Sequence, residues 1–303
     1  MGGYKLATYD AGQGPRAGII AGEMIVDAAE ATGRAGYATV LGILEDWDRA
    51  DGLLSDAAGK ATTGRKLADV KLLAPLPRPV DIYCAGANYK DHAAEMTAAG
   101  GPPWQDPHDL GLKAWHFIKA SSAVVGPDAT VAVPPLCKKL DWEVELVTVI
   151  GRRARNLTLD NALGCVAGYT VGNDLSARDL GRRPPLPESA PFYMDWTGHK
   201  SFEGSCPLGP WIIPAADIAD VQKLGLKLWV NGVLKQDSNT EYMIYTLAEQ
   251  IVQLSSRATL QPGDLVMTGT PAGVGAGRNE FLKSGDVVKA WVEGIGDLTT
   301  VIG

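Results

Sequence analysis

Leu140-Asp141-Trp142-Glu143-Val144-Glu145-Leu146-Val147-Thr148-Val149-Ile150-Gly151 is an apolar, β-branched run broken by carboxylates at alternate positions. Its composition is that of a strand. Side chains alternate between the two faces of a strand. Asp141, Glu143 and Glu145 therefore share one face, and Trp142, Val144 and Leu146 share the other, which packs inward. Neighbouring like charges repel. A cation would neutralise them, and oxygen-only ligands suit a hard ion such as Mg²⁺, while also admitting Mn²⁺ or Ca²⁺. The plain alternative is a solvated acidic face on an edge strand.

A second acidic group follows in Gly168-Tyr169-Thr170-Val171-Gly172-Asn173-Asp174-Leu175-Ser176-Ala177-Arg178-Asp179-Leu180. The spacing predicts a strand running into Asn173-Asp174, then a helical turn. Arg178 stands four residues after Asp174, so both face one way on such a turn. An N-capping Asp174 with a surface ion pair reads equally well.

Upstream, Gly86-Ala87-Asn88-Tyr89-Lys90-Asp91-His92-Ala93-Ala94-Glu95 opens a short helix near Tyr89–Ala99, ended by Gly100-Gly101 and Pro102-Pro103. His92 and Glu95 lie on one face of one turn. A carboxylate beside an imidazole fixes its tautomer and supports it as a general base, although surface His–Glu pairs of this kind are frequent. Lys200, in Thr197-Gly198-His199-Lys200-Ser201-Phe202, stands among small and turn-forming residues, where it is either an oxyanion-stabilising group or a surface lysine. Thr268-Gly269-Thr270-Pro271-Ala272-Gly273-Val274-Gly275 follows a strand, and its backbone N–H groups can hold carboxylate oxygens.

The 303-residue chain is 46% hydrophobic and 21% charged, with 36 Gly and 19 Pro, which favours a turn-rich β architecture. A net charge of −7 argues against nucleic acid as partner. The apolar stretches are strand-sized, so no membrane partner is expected. Cys84, Cys137, Cys165 and Cys206 are too far apart for a C-x-x-C site and read as reduced thiols. Together with an N-terminus lacking an apolar leader, this predicts a cytoplasmic protein.

Ala74-Pro75-Leu76-Pro77-Arg78-Pro79 marks the expected boundary between a small domain at 1–74 and a main domain at 75–303. The small domain reads as a strand at Lys5–Tyr9, a hairpin at 17–27 turning near Gly22-Glu23, and a helical pattern from about Tyr37 to Leu54. The main domain reads as strands at Glu143–Ile150, Leu163–Val171, Leu226–Val230 and Asp264–Thr268. It adds a hairpin turn at Asn231-Gly232 and a helix near Thr246–Leu254.

Taken together, these segments resemble the fumarylacetoacetate hydrolase family. The resemblance is carried by Gly86–His92, Asp141–Leu146, Asn173–Asp179, Lys200–Phe202 with Cys206–Pro210, and Thr268–Gly275, in the family's order. It implies a mostly β fold with some α, a mixed β-sandwich roll preceded by a small α+β domain, and a homodimer. It implies Glu143, Glu145 and Asp174 as ligands of Mg²⁺ or Mn²⁺. It implies His92, Glu95 and Lys200 as catalytic residues, and Arg178 and Thr270 as substrate contacts. Two departures stand out. Ala85 occupies the place of an extra aspartate ligand in fumarylacetoacetase itself, so the chain is similar to the bacterial acylpyruvase type. Gly181 replaces a glutamine found in many members. The implied reaction is hydrolytic C–C cleavage of a 2,4-diketo acid. The alternatives are decarboxylation of oxaloacetate and isomerisation or tautomerisation of an oxo-diacid.

Overall fold

Strand Val144–Ile150 lies at the centre of the sheet, and all seven of its residues are buried. It pairs antiparallel with Val166–Asn173 on one side and Leu265–Met267 on the other. The alternative of a solvated edge strand is thereby excluded, because both faces are covered. Val144, Leu146 and Ile150 point into one apolar core, and Val147 and Val149 into another. These relations come from a computed structural model, which describes residues 3–61 and 63–303.

The central strand belongs to a 12-stranded mixed sheet. Its order beyond Val166–Asn173 continues through Cys206–Pro214 to Lys5–Asp10 and the hairpin of Pro15–Ala21 and Met24–Asp27. On the other side it runs through Leu265–Met267 and Ile82–Ala85 to His116–Lys119. Leu6 pairs with Ile212, so the sheet is continuous across the proline segment at 75–79. A second sheet of five strands, with Gly225–Val230, Val287–Val292 and Gly296–Ile302 at its centre, packs on one face. Leu226, Leu228, Val288, Ala290 and Leu298 meet Val144, Leu146, Tyr169 and Val171 there, forming a sandwich core. The opposite face is covered by helices Val40–Leu44 and Trp47–Lys60 through Ile43, Leu44, Trp47 and Leu54. The fold is therefore the mostly β, mixed sandwich that the sequence implied. Among the described residues no helix is long and apolar enough to cross a membrane.

Local signals explain the elements around it. Asn231 and Gly232 both have positive φ, 51° and 80°, as a type I′ turn requires. Thr246 and Glu249 form a reciprocal capping box that starts helix Leu247–Arg257. Two expectations are corrected. The helical pattern at 37–54 is two helices broken at Glu45-Asp46, where Asp46 accepts from the Tyr37 hydroxyl at 2.7 Å. No helical turn follows Asp174: Ser176–Ala177 is a short strand paired with Leu140–Asp141, and the Arg178 N–H donates to Lys139 O at 3.0 Å.

Candidate functional site

The two central strands run antiparallel, so the start of one meets the end of the other. Glu143 N–H donates to the Asn173 side-chain oxygen at 2.9 Å, and Asp174 N–H to Glu143 O at 2.9 Å. This double clasp brings Glu143, Glu145 and Asp174 together, with ligand oxygens within 4.8 Å of one another and all three residues buried. Such a donor set fits a hard divalent cation. Glu145 accepts the Gly269 N–H at 2.8 Å.

The electrostatics are those of a crowded anionic centre. Burial pushes the Glu145 carboxyl well above the ordinary carboxylate range, and the charges of Asp174 and Glu143 push it further. Glu143 goes the other way. Burial alone would raise it, but the Lys200 ammonium and Arg178 guanidinium outweigh burial and hold it below the ordinary glutamate value. Lys200 sits 2.8 Å from Glu143 and 2.5 Å from Asp174. Burial would discharge it, yet Asp174 and Glu143 hold its pKa above the ordinary lysine value.

These shifts give a pH prediction. A carboxyl that binds its proton more tightly when folded costs stability as pH rises from its unfolded value, about 4.3, through its folded value. A cation bound to ionised Glu145 removes that cost. The increase in Tm produced by saturating Mg²⁺ is therefore expected to grow as pH rises above about 4.3. An increase independent of pH would contradict this assignment.

Arg178 lies on the same side as Asp174 because of the short strand pair. Its guanidinium is 2.9 Å from Asp141 and 2.5 Å from Glu143. Asp141, expected on one strand face with Glu143 and Glu145, lies instead in a separate short strand, because the run breaks at Trp142-Glu143, and it accepts the Gly275 and Ala276 N–H groups at 2.6 and 3.0 Å. The glycine loop thus holds carboxylates, and they are the protein's own. Thr270 borders the cleft, but its hydroxyl donates to Val144 O and accepts from Gln236, both at 2.9 Å.

His92 and Glu95 project from helix Lys90–Ala98, with His92 Nδ1 3.4 Å from Glu95 Oε2. The Gly273 N–H donates to Glu95 at 3.0 Å and fixes the carboxylate. Asn88 ties the helix start to the glycine loop, donating to Thr268 O at 2.9 Å and to Tyr245 O at 3.0 Å. His92, the triad, Arg178, Lys200 and Thr270 line one cleft of about 350 Å³, and Glu95 and Asp141 stand behind its walls.

The structure adds residues that sequence reasoning did not single out. Lys119 is fully buried, 2.6 Å from Asp174 Oδ1, and donates to Ser205 O at 2.9 Å. Its only signal was a lysine on the same strand face as Phe117. Removing one partner of a buried pair leaves the other charge uncompensated, so Lys119→Met is expected to cost about 3–5 kcal/mol of stability. Urea unfolding measures it, and an unchanged midpoint would show that the pair contributes nothing. His199 also lines the cleft, with both ring nitrogens unpaired among the described residues. Burial, then the Lys200 and Arg178 charges, lowers its pKa to about 3, so the ring is neutral at physiological pH. The ring fills the space at Gly181, where an added Cβ would stand 2.8 Å from His199 Cγ. Trp115, Phe117 and Trp196 complete that wall.

This chain has recognisable kin. It is 39% identical over 233 residues to the mitochondrial oxaloacetate tautomerase FAHD2B of Bos taurus, covering 76% of this chain and 68% of that one. The fumarylacetoacetate hydrolase EaFAH from the psychrophile Exiguobacterium antarcticum superimposes with a TM-score of 0.80 at 32% identity, over 99% of both chains. The maleylpyruvate hydrolase of Sphingobium sp. SYK-6, solved with manganese(II) and pyruvate, superimposes with a TM-score of 0.77 at 28% identity over 98% of both. The sequence model of the fumarylacetoacetate (FAA) hydrolase C-terminal domain matches residues 81–303, the stretch that carries the whole cleft, and on that match the chain belongs to the fumarylacetoacetate hydrolase family.

Proposed function

We propose that this chain is a metal-dependent hydrolase that cleaves the C–C bond of a 2,4-diketo acid of the acylpyruvate kind. The observation that carries the reading is the His92–Glu95 pair, anchored by Gly273 N–H, with His92 lining the same cleft as the buried triad. Cation-assisted tautomerisation does not need a base for water, whereas hydrolysis does. Mg²⁺ or Mn²⁺ held by Glu143, Glu145 and Asp174 would supply Lewis acidity toward the negative charge on the departing three-carbon fragment.

The chain's own residues do the rest. Glu95 orients the imidazole, and His92 takes a proton from water as it attacks the distal carbonyl carbon. Lys200, kept protonated by Asp174 and Glu143, stands ready to stabilise the oxyanion. Arg178 is committed to Asp141 and Glu143, so in this reading it sets the position of Glu143 more than it binds substrate. The carbanion leaving group then collects a proton and departs as the 2-oxo acid.

Oxaloacetate tautomerisation is the second reading, favoured by the 39% identity to an oxaloacetate tautomerase. Assay of acetylpyruvate and oxaloacetate with Mg²⁺ or Mn²⁺ decides between them. Release of acetate and pyruvate from acetylpyruvate supports hydrolysis. Turnover of enol-oxaloacetate alone would replace it with tautomerisation.

A further inference from the structure

One wall of the cleft, opposite in chemistry to the carboxylates, is aromatic. Phe117 and Trp196 stack at 5.0 Å between ring centroids with planes 21° apart, and Trp196 stacks on His199 at 5.8 Å and 28°. Trp115 meets Trp196 edge-on at 6.0 Å. All four residues line the same cleft as Glu143, Glu145 and Asp174. Trp115 and Trp196 remain 50% and 39% exposed, a large apolar surface left open beside a buried charged centre.

The backbone is shaped to hold these rings. A Cβ on Gly86 would lie 1.9 Å from the Trp115 indole, so only glycine lets the ring lie against the chain there. Gly181 gives His199 the same room, since a Cβ there would stand 2.8 Å from the ring. Two ring positions thus depend on an absent side chain. The wall is a fitted surface, and it has no occupant from within the described residues.

We infer that this wall is an acyl-group subsite, and that the preferred substrate carries a flat, conjugated or aromatic acyl group on its 2,4-diketo acid. The inference rests on the diketo-acid reading for its chemistry and on the aromatic wall for its specificity. Ring–ring contacts favour offset and edge arrangements, which a planar acyl group offers and a puckered saturated ring does not. Conjugation makes an aroyl carbonyl less electrophilic than an alkyl one. Faster turnover of the aroyl compound would therefore report on binding to the wall and not on intrinsic reactivity. For benzoylpyruvate, water adds to the aroyl carbon and the C3–C4 bond breaks. The hydroxyl stays with benzoate, and the proton goes to C3 of pyruvate.

The test compares benzoylpyruvate with cyclohexanoylpyruvate, equal in bulk but not flat, and with acetylpyruvate, all with Mg²⁺. Benzoylpyruvate is expected to exceed cyclohexanoylpyruvate by about tenfold in kcat/KM, as two modest aromatic contacts would give. Trp115→Leu and Trp196→Leu are each expected to shrink that ratio. The ratio is internal to each variant, so a general loss of activity does not obscure it. Equal kcat/KM for the two ring substrates in the wild-type protein would overturn the inference while leaving hydrolysis intact. If none of the three is hydrolysed, the hydrolase reading fails, and calorimetric titration of the same acids into Mg²⁺-loaded protein reads the wall alone. Tenfold tighter binding of the benzoyl compound there upholds the subsite, and equal affinities overturn it.

Discussion

Glu143→Ala is expected to abolish saturable Mg²⁺ or Mn²⁺ binding and to lower Tm by on the order of 10 °C. The thermal loss follows from the residue's partners. Glu143 is buried at the wall of the cleft and pairs with Lys200 at 2.8 Å and Arg178 at 2.5 Å. Deleting it takes one of two carboxylate partners from Lys200, which keeps Asp174, and from Arg178, which keeps Asp141; breaking a buried pair costs about 3–5 kcal/mol, at roughly 2 °C per kcal/mol for a chain of this size. The metal loss follows from the triad, because one of its three converging carboxylates is gone. Loss of a merely supporting group costs roughly 10–100-fold in metal affinity, and loss of a ligand should exceed that. Asp141→Asn is the control. It disturbs Arg178 and the caps on Gly275 and Ala276 but removes no ligand, so stability should fall while Mg²⁺ still binds. Calorimetry and thermal unfolding check both. Wild-type metal affinity in the Glu143 variant would mean that the ion sits elsewhere.

Much of the fold could be read locally because its signals are local. The hairpin at 15–27, the Asn231-Gly232 turn and the helix capped by Thr246 each depend on residues within a few positions of one another. What could not be read depends on distant partners. Nothing around Leu6 indicates that it will pair with Ile212 and extend the main sheet. The segment after Asp174 has the composition of a helix start, yet Asp141 pairs with Ser176 and Arg178 reaches Asp141 and Glu143, so tertiary contacts override the local preference.

The candidate site divides in the same way. Alternation along one strand placed Glu143 and Glu145 together, and helical spacing placed His92 beside Glu95. The family resemblance linked these to Asp174 and Lys200, which no local spacing could. Lys119 escaped notice because its partners, Asp174 and Ser205, come from remote strands and loops. Trp115, Phe117 and Trp196 escaped for another reason. Aromatic residues read as core by default, and only the structure leaves two of them half open beside the carboxylates.

His92→Ala is expected to lose acylpyruvate hydrolysis by about 10²–10⁴-fold, the usual contribution of a general base. The same variant should bind Mg²⁺ and oxalate as wild type does, because Glu143, Glu145 and Asp174 are untouched. Glu95→Gln should lose less, since Glu95 orients the ring and transfers no proton itself. Burial alone would raise Glu95, but the His92 contact and Gly273 N–H lower its pKa, so it stays ionised at neutral pH as an orienting anion must. The pattern separates the two readings of the cleft. Hydrolysis needs a proton taken from water, whereas tautomerisation moves a proton on the substrate and leaves water out. If His92→Ala turns over acylpyruvates at near wild-type rates, His92 is not the base and hydrolysis at this site loses its main support. If it loses hydrolysis but keeps enol-oxaloacetate turnover, one cleft runs both reactions and His92 is what adds water to its chemistry.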